Sequence, residues 1–394
     1  MKFADRIRPL QFNVFAEMDR AKAAAIAAGL EIIDLSLGSV DLPTPEPVLD
    51  AIAAALGDPS THGYQLFRNT QAFRQAVAAR YMAAFGVPVD PDTEVLTLIG
   101  SQEGTAHLPL AILNPGDVAL LQDPGYPSHY GGVYLAGGEP YPMALRAENG
   151  FLPDFDEIPP AVAARSRLMV LNYPHNPTTA TANLAFFERA LAFCDRHDLV
   201  LVHDFAYDGM VFEGGEQPSI LQVDRDKHRS IEFFTLSKAF NMGGFRIGYA
   251  IGNRELIQVL RQVKAVVDFN QYAGILRGAI AALTGPQDSR HERLAIFQER
   301  RDAFIKALAA IGWTVPTPKA TMFVWAKLPE PWTTRSVDFC TQLVAATGVA
   351  VAPGFGFGPS GEGYVRFALV QDPTGLQVAV DRIAQFLQTS GRSQ

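Results

Sequence analysis

Thr235-Leu236-Ser237-Lys238-Ala239-Phe240-Asn241-Met242-Gly243-Gly244-Phe245-Arg246 is a turn that carries an unusual load of polar groups. It follows Ser230–Leu236, whose consecutive apolar positions fit a strand covered on both faces. A lysine emerges directly from that run, between the hydroxyls of Thr235 and Ser237 and an arginine eight positions on. Lysine becomes a nucleophile when its pKa is lowered, which burial beside other cations supplies. Thr235, Ser237 and Arg246 could together hold a dianionic phosphate, the arginine through a charge-assisted fork. Taken alone, the turn reads more simply as a surface lysine after a strand.

Three further turns of the same kind lie upstream. Leu98-Ile99-Gly100-Ser101-Gln102-Glu103-Gly104-Thr105 runs from a strand through small residues into a helix. Free N–H groups and the positive helix end suit a phosphate there, although such a turn also serves as a plain connector. Tyr173-Pro174-His175-Asn176-Pro177-Thr178 fixes its backbone with two prolines and presents Asn176 as a donor, or else is a simple Asn-Pro turn. In His203-Asp204-Phe205-Ala206-Tyr207 an acid ends an apolar strand. Its burial demands a cationic partner such as a pyridinium nitrogen, unless Asp204 is a helix N-cap.

Around these turns the chain alternates short apolar runs with helical ones, the rhythm of a mostly parallel sheet. Strands are expected at Glu94–Ile99, Val118–Gln122, Leu168–Asn172, Leu199–His203, Ser230–Leu236 and Ile247–Ile251. Helices are expected at Val14–Gly29, Pro47–Leu56, Gln71–Phe85 and Leu184–His197. From about Pro286 the pattern changes to a long helix (Arg290–Ile311) and a strand (Met322–Lys327). A helix (Ser336–Thr347), a strand (Tyr364–Leu369) and a last helix (Gly375–Thr389) follow. This predicts a large domain over 46–285 and a smaller α+β domain from 1–45 and 286–394. Polar groups at the carboxyl ends of the strands mark the crevice where ligands bind open α/β sheets.

Composition narrows the function classes. The 394 residues are 48% hydrophobic and 19% charged, a globular balance that excludes a disordered chain. The net charge of −8 is spread without single-sign runs, which argues against a nucleic-acid surface. Cys194 and Cys340 sit in apolar helical contexts and read as buried thiols in a reducing compartment, with no metal site. The N-terminus lacks the apolar core of a signal peptide, and no run is long enough to span a membrane, so a cytoplasmic protein is expected.

Asn176, Asp204, Lys238 and Arg246 occur in that order, each at a strand end or in the turn beyond. With Gly100-Ser101-Gln102-Glu103-Gly104, Asn114-Pro115-Gly116-Asp117, Asp123-Pro124-Gly125-Tyr126-Pro127, Asn172-Tyr173-Pro174-His175-Asn176-Pro177-Thr178 and Leu236-Ser237-Lys238, the chain resembles the class I/II aminotransferases over nearly all its length. These are fold-type I enzymes of pyridoxal 5′-phosphate, and within them it is most similar to the LL-diaminopimelate aminotransferase group.

The resemblance implies a mostly parallel seven-stranded sheet in the large domain, and it assigns roles. Lys238 holds the cofactor and moves the substrate proton. Asp204 pairs with the ring nitrogen, Asn176 and Tyr207 with the ring oxygen, and Tyr126 lies against the ring face. Gly100, Ser101, Gln102, Thr235, Ser237 and Arg246 surround the phosphate, with Tyr64 reaching the neighbouring subunit's phosphate in a homodimer. Arg366, with Gly38 and Asn176, grips the substrate carboxylate. The substrates are an L-amino acid and a 2-oxo acid such as 2-oxoglutarate, with Arg68 or Arg277 as candidates for a distal carboxylate. Asn69, Thr179 and Phe245 depart from the family pattern, where glycine, glycine and tryptophan are frequent.

Other chemistries share this scaffold. A β-lyase acting on carbon–sulfur bonds would use every cofactor residue, as would a decarboxylase or a cyclopropane-forming enzyme. A cofactor-binding regulator would need a DNA-binding domain, for which the non-basic segment before Gly38 is too short. A purely structural protein has no use for Asp204, Lys238 and Arg246 in this arrangement.

Overall fold

A computed structural model describes residues 1–10 and 14–390. The strands are β1 (Ile33–Asp34), β2 (Val95–Leu98), β3 (Val118–Asp123), β4 (Glu139–Ala144), β5 (Ser166–Asn172), β6 (Val200–Asp204), β7 (Ser230–Thr235), β8 (Gly248–Gly252), β9 (Phe323–Lys327), β10 (Val349–Ala350), β11 (Ala352–Pro353) and β12 (Tyr364–Ala368). Seven of them form one sheet in the order β2-β8-β7-β6-β5-β3-β4. All its neighbours pair parallel except β8, which runs antiparallel to both β2 and β7. A second sheet has the order β11-β12-β9, and β1 pairs with β10.

The large sheet is apolar on both faces because alternate side chains feed two different cores. Val118 and Leu120 of β3, Met169 and Leu171 of β5 and Leu201 of β6 enter one cluster. Ala119, Leu121, Leu168, Val170 and Val202 enter the other. A third core joins Met18, Ala25 and Leu35 near the N-terminus to residues of β9, β12 and the last helix. The same cluster takes in Tyr207, Met210 and Phe212 from the middle of the chain.

Strand β4 has no counterpart among the runs expected from sequence. It pairs only with β3, at the sheet's edge, and its Pro140 and Pro142 alternate with Tyr141 and Met143. Proline survives at such an edge because no outer strand needs its missing N–H, and the same prolines hide the strand in the sequence. The expected helices recur with small shifts: Val14–Ala27, Glu46–Leu56, Gln71–Phe85, Leu184–His197, Asp288–Ala310, Ser336–Thr347 and Pro373–Ser390. Leu184–His197 starts where Asn183 caps Phe186 N and stops where Asp198 turns left-handed (φ 56), so both ends are set locally. Among the described residues no helix is long and apolar enough to cross a membrane.

After β3 the chain adds β4 on one side and then crosses to build β5, β6, β7 and β8 on the other. The gap at the carboxyl ends of β3 and β5 is thus a topological switch point, the place where open sheets bind ligands. Tyr126 follows β3, and Asn176 follows β5.

Candidate active site

The parallel register sets Asn172 beside Asp204 and Asp204 beside Phe233, two residues before Thr235. Asn172 ties the strand ends together: its Nδ2 donates to Asp204 O (2.6 Å) and its Oδ1 accepts from Asn176 N (2.9 Å). Asp204 is buried, with Oδ2 lying 3.0 Å from His129 Nε2. Its Oδ1 is buried without a partner. An acceptor left unmatched out of water is costly, and a protonated ring nitrogen satisfies it. Asp204 therefore fits pyridoxal phosphate better than it fits a helix cap.

Lys238 sits in the one-turn helix Leu236–Ala239, opened by Thr235, whose hydroxyl accepts from Ser237 N (3.1 Å). Its Nζ donates to Gly38 O. Burial, with the nearby charges of Arg366 and Arg246, pushes its pKa down to about 8. A surface lysine has no such surroundings, so the simpler meaning of this turn is set aside.

On the same side, helix Ser101–Ile112 starts at Gly100 (φ 117) with no side-chain cap, which leaves first-turn N–H groups for an anion. A Cβ on Gly100 would stand 3.0 Å from the Arg246 guanidinium, and the φ of 117 is one that side chains rarely adopt, so glycine suits the turn. Thr235 Oγ1 donates to Ser237 Oγ at 2.8 Å. Gln102 is exposed and accepts from Tyr126 OH at 3.3 Å.

Arg366, on β12, is 5% exposed and lies between Phe323 and Phe357, 4.2 and 4.7 Å from their ring centres. Its Nη1 donates to Asn176 Oδ1 and its Nη2 to Ser36 O, both at 2.8 Å. Its Nε is buried and unmatched, and among the described residues no carboxylate pairs with it. Burial holds its pKa down to about 10. A buried guanidinium short of acceptors and lacking a counter-charge is prepared for an external carboxylate. Gly38 belongs to the same pocket: a Cβ there would meet the Phe323 ring at 2.7 Å. Tyr207 is buried with its ring 5.7 Å from Phe323, and burial raises the pKa of its hydroxyl and that of Tyr126.

The fold thus gathers Gly38, Gly100, Ser101, Tyr126, Asn176, Asp204, Tyr207, Thr235, Ser237, Lys238, Arg246 and Arg366 around one crevice. Tyr64 is 92% exposed and has no hydrogen-bond partner among the described residues. Arg277 is held by Asp58 (2.7 Å) and Arg68 is exposed. Thr179 takes the left-handed conformation (φ 65) while buried, which explains why glycine suits that position. Nothing in the structure accounts for Asn69 or Phe245 in place of the commoner residues. Sequence reading missed His129 and Asn172 as site members. His129 lies just inside a helix opened by Pro127, and its only signal is a polar residue on that helix's buried side.

The chain matches known proteins over most of its length. The profile of aminotransferase class I and II matches residues 31–383. The LL-diaminopimelate aminotransferase of Moorella thermoacetica is 43% identical over 98% of this chain and 99% of its own. That of Halothermothrix orenii is 41% identical over 97% and 98%. Among solved structures, a probable N-succinyldiaminopimelate aminotransferase from Thermus thermophilus superposes with a TM-score of 0.90 at 43% identity, covering 94% of this chain and 99% of that one. Substrate-bound BacF from Bacillus subtilis gives 0.94 at 36% identity, with 98% of each chain covered.

Proposed function

We propose, from the premise that this chain belongs to the class I and II aminotransferase family, that the amino donor of this pyridoxal phosphate-dependent transaminase is LL-diaminopimelate and its acceptor 2-oxoglutarate. The family gives the cofactor and the reaction type. The donor rests on whole-chain identity of 41–43% to relatives named for that substrate. The family and the relatives named LL-diaminopimelate aminotransferase disfavour the β-lyase alternative.

The observation that carries the site reading is the company Lys238 keeps. Its amine, with a pKa of about 8, lies near the charge of a buried arginine that has no counter-charge among the described residues, and Asp204, with its unmatched oxygen, ends a strand adjoining the one that leads to Lys238. When bound, pyridoxal phosphate supplies an aldehyde that captures amino groups and a protonated ring that draws electrons from the substrate Cα. Asp204 Oδ1 holds the proton on the ring nitrogen, and His129 on Oδ2 keeps that carboxylate oriented. Asn176 and Tyr207 supply polar groups for the ring oxygen. The Ser101 and Gln102 amides, the Thr235 and Ser237 hydroxyls and Arg246 receive the phosphate, with Gly100 giving the close approach. Arg366 grips the substrate carboxylate beside Gly38, and Lys238 Nζ takes the proton from Cα and returns it.

The active unit is a homodimer in this reading. The exposed Tyr64 ring is available to reach a partner's phosphate, and Leu37, Val266 and Val267 are exposed apolar residues that association would cover. The buried free thiols Cys194 and Cys340 suit a cytoplasmic enzyme.

Near-ultraviolet and visible absorbance of the holoenzyme tests the reading. A cofactor band absent in Lys238→Ala, bleached by LL-diaminopimelate and restored by 2-oxoglutarate, is expected. Bleaching by other amino acids alone changes the donor. Release of ammonia and pyruvate makes the enzyme a lyase.

A further inference from the structure

Residues 35–45, between β1 and the helix Glu46–Leu56, have no regular secondary structure, yet they supply the backbone oxygens of the carboxylate pocket. Ser36 O accepts from Arg366, Gly38 O from Lys238, and Thr44 Oγ1 donates to Asn241 O at 2.7 Å. The strap starts from a fixed end, where Leu35 N donates to Ala350 O and Leu35 O accepts from Ala368 N (both 2.8 Å) and Ser36 N donates to Asp34 Oδ1 (2.8 Å). Beyond Ser36 it has no strand ladder, and side-chain anchors hold its course.

Past Gly38 the charged anchor is Asp41. Its two oxygens receive both prongs of Arg300, Nη1 to Oδ1 at 2.7 Å and Nη2 to Oδ2 at 2.8 Å. Arg300 Nη1 also donates to Leu369 O at 3.0 Å, three residues past Arg366. One guanidinium therefore ties the strap to the end of the strand that carries the carboxylate-binding arginine. The arrangement is asymmetric: the Arg300 side chain is 6% exposed and that of Asp41 33%. The buried partner is fixed, and the exposed one rides on the strap.

Arg300 lies on Asp288–Ala310, and two more arginines of that helix share its face. Arg290 pairs with Asp208 (3.1 Å), the residue after Tyr207. Arg293 donates to Ala239 O (2.7 Å), the residue after Lys238. A helix rises about 1.5 Å per residue, so a single stiff rod sets the spacing between the cofactor-bearing loops and the strap.

We propose that Arg300 and Asp41 are a positioning pair that holds the Ser36–Gly38 backbone against Arg366 and thereby sets affinity for the substrate α-carboxylate. Neither residue touches substrate. The proposal rests on the reading that Arg366 receives that carboxylate, and the test separates the two.

The probe is L-glutamate, added to holoenzyme while bleaching of the cofactor band is followed in time. Its α-carboxylate reports on the pocket whichever donor is physiological. Asp41→Asn and Arg300→Gln are each expected to raise the half-saturating glutamate concentration about tenfold, because small displacements of binding groups cost one to two orders of magnitude. The maximal bleaching rate stays within about twofold and the band keeps its position and amplitude, since the cofactor groups are held elsewhere. The double variant is no weaker than either single one, and Arg300→Lys falls between native and Arg300→Gln. If Arg300→Gln does not fold, Asp41→Asn, which changes a partly exposed side chain, decides alone. Unchanged half-saturation in Asp41→Asn while Arg366→Lys raises it overturns the pair and leaves the carboxylate reading intact. Unchanged half-saturation in Arg366→Lys as well overturns the carboxylate reading itself. Loss of the cofactor band in Asp41→Asn shows a general structural role and also overturns the proposal.

Discussion

Lys238 is worth most to the enzyme when its amine is neutral, and its environment arranges this. Its pKa in the folded chain, about 8, lies below the ordinary 10.5. Between those values the unfolded chain binds the extra proton, so the cofactor-free protein gains stability as pH rises through that window and carries a constant penalty below it. Lys238→Met is therefore expected to raise the thermal midpoint of the cofactor-free protein at neutral pH, with the gain vanishing near pH 10.5. Reconstitution kinetics read the same group: the rate of cofactor capture climbs with pH and levels off above about 8. At Asp204, replacement by alanine removes the acceptor proposed for the ring proton. Transamination is expected to fall on the order of a thousandfold, while KM changes little because the carboxylate hold proposed for Arg366 is untouched.

At the scale of elements, the turn proposed to bind phosphate is braced from behind. Glu103, in the first turn of Ser101–Ile112, accepts from Ile99 N (2.7 Å) and is bonded to the fully buried Lys264 (2.9 and 3.0 Å) of the helix Arg254–Val267. Lys264 also pairs with Asp268, so the ammonium already occupies the space between the carboxylates of Glu103 and Asp268. Lys264→Met strands a buried charge and is expected to cost about 3–5 kcal/mol in urea unfolding. Replacing Lys264 and Glu103 together by Met and Gln recovers part of that loss, because the unpaired charge is then gone. The start of Ser101–Ile112 is thus held by a buried ion pair.

The whole molecule is proposed to work as a pair of chains, and a mixing experiment addresses that directly. Lys238→Ala and Tyr64→Ala each disable both sites of their own homodimer if Tyr64 serves the partner's phosphate. In a mixed dimer one site collects both defects and the other has none. Unfolding and refolding the two inactive variants together is expected to restore about a quarter of native activity. No recovery, with dimers shown by light scattering, places Tyr64 outside the partner's site.

Much of this was legible in the chain. Apolar runs alternating with helices imply a mostly parallel sheet, because helical crossovers cover both faces of such a sheet. Turn residues at the strand ends imply Asn176, Asp204, Lys238 and Arg246, since the ends of such strands converge on one crevice. The sequence left open whether Asp204 is a cap and Lys238 a surface residue. Tertiary structure decided both, by burying Asp204 with an unmatched oxygen and setting Lys238 beside two arginines. It also decided His129, Asn172, edge strand β4 and the Arg300–Asp41 tie. These depend on contacts between segments far apart in the chain, and local patterning carries no signal of which distant side chain a buried polar group will meet.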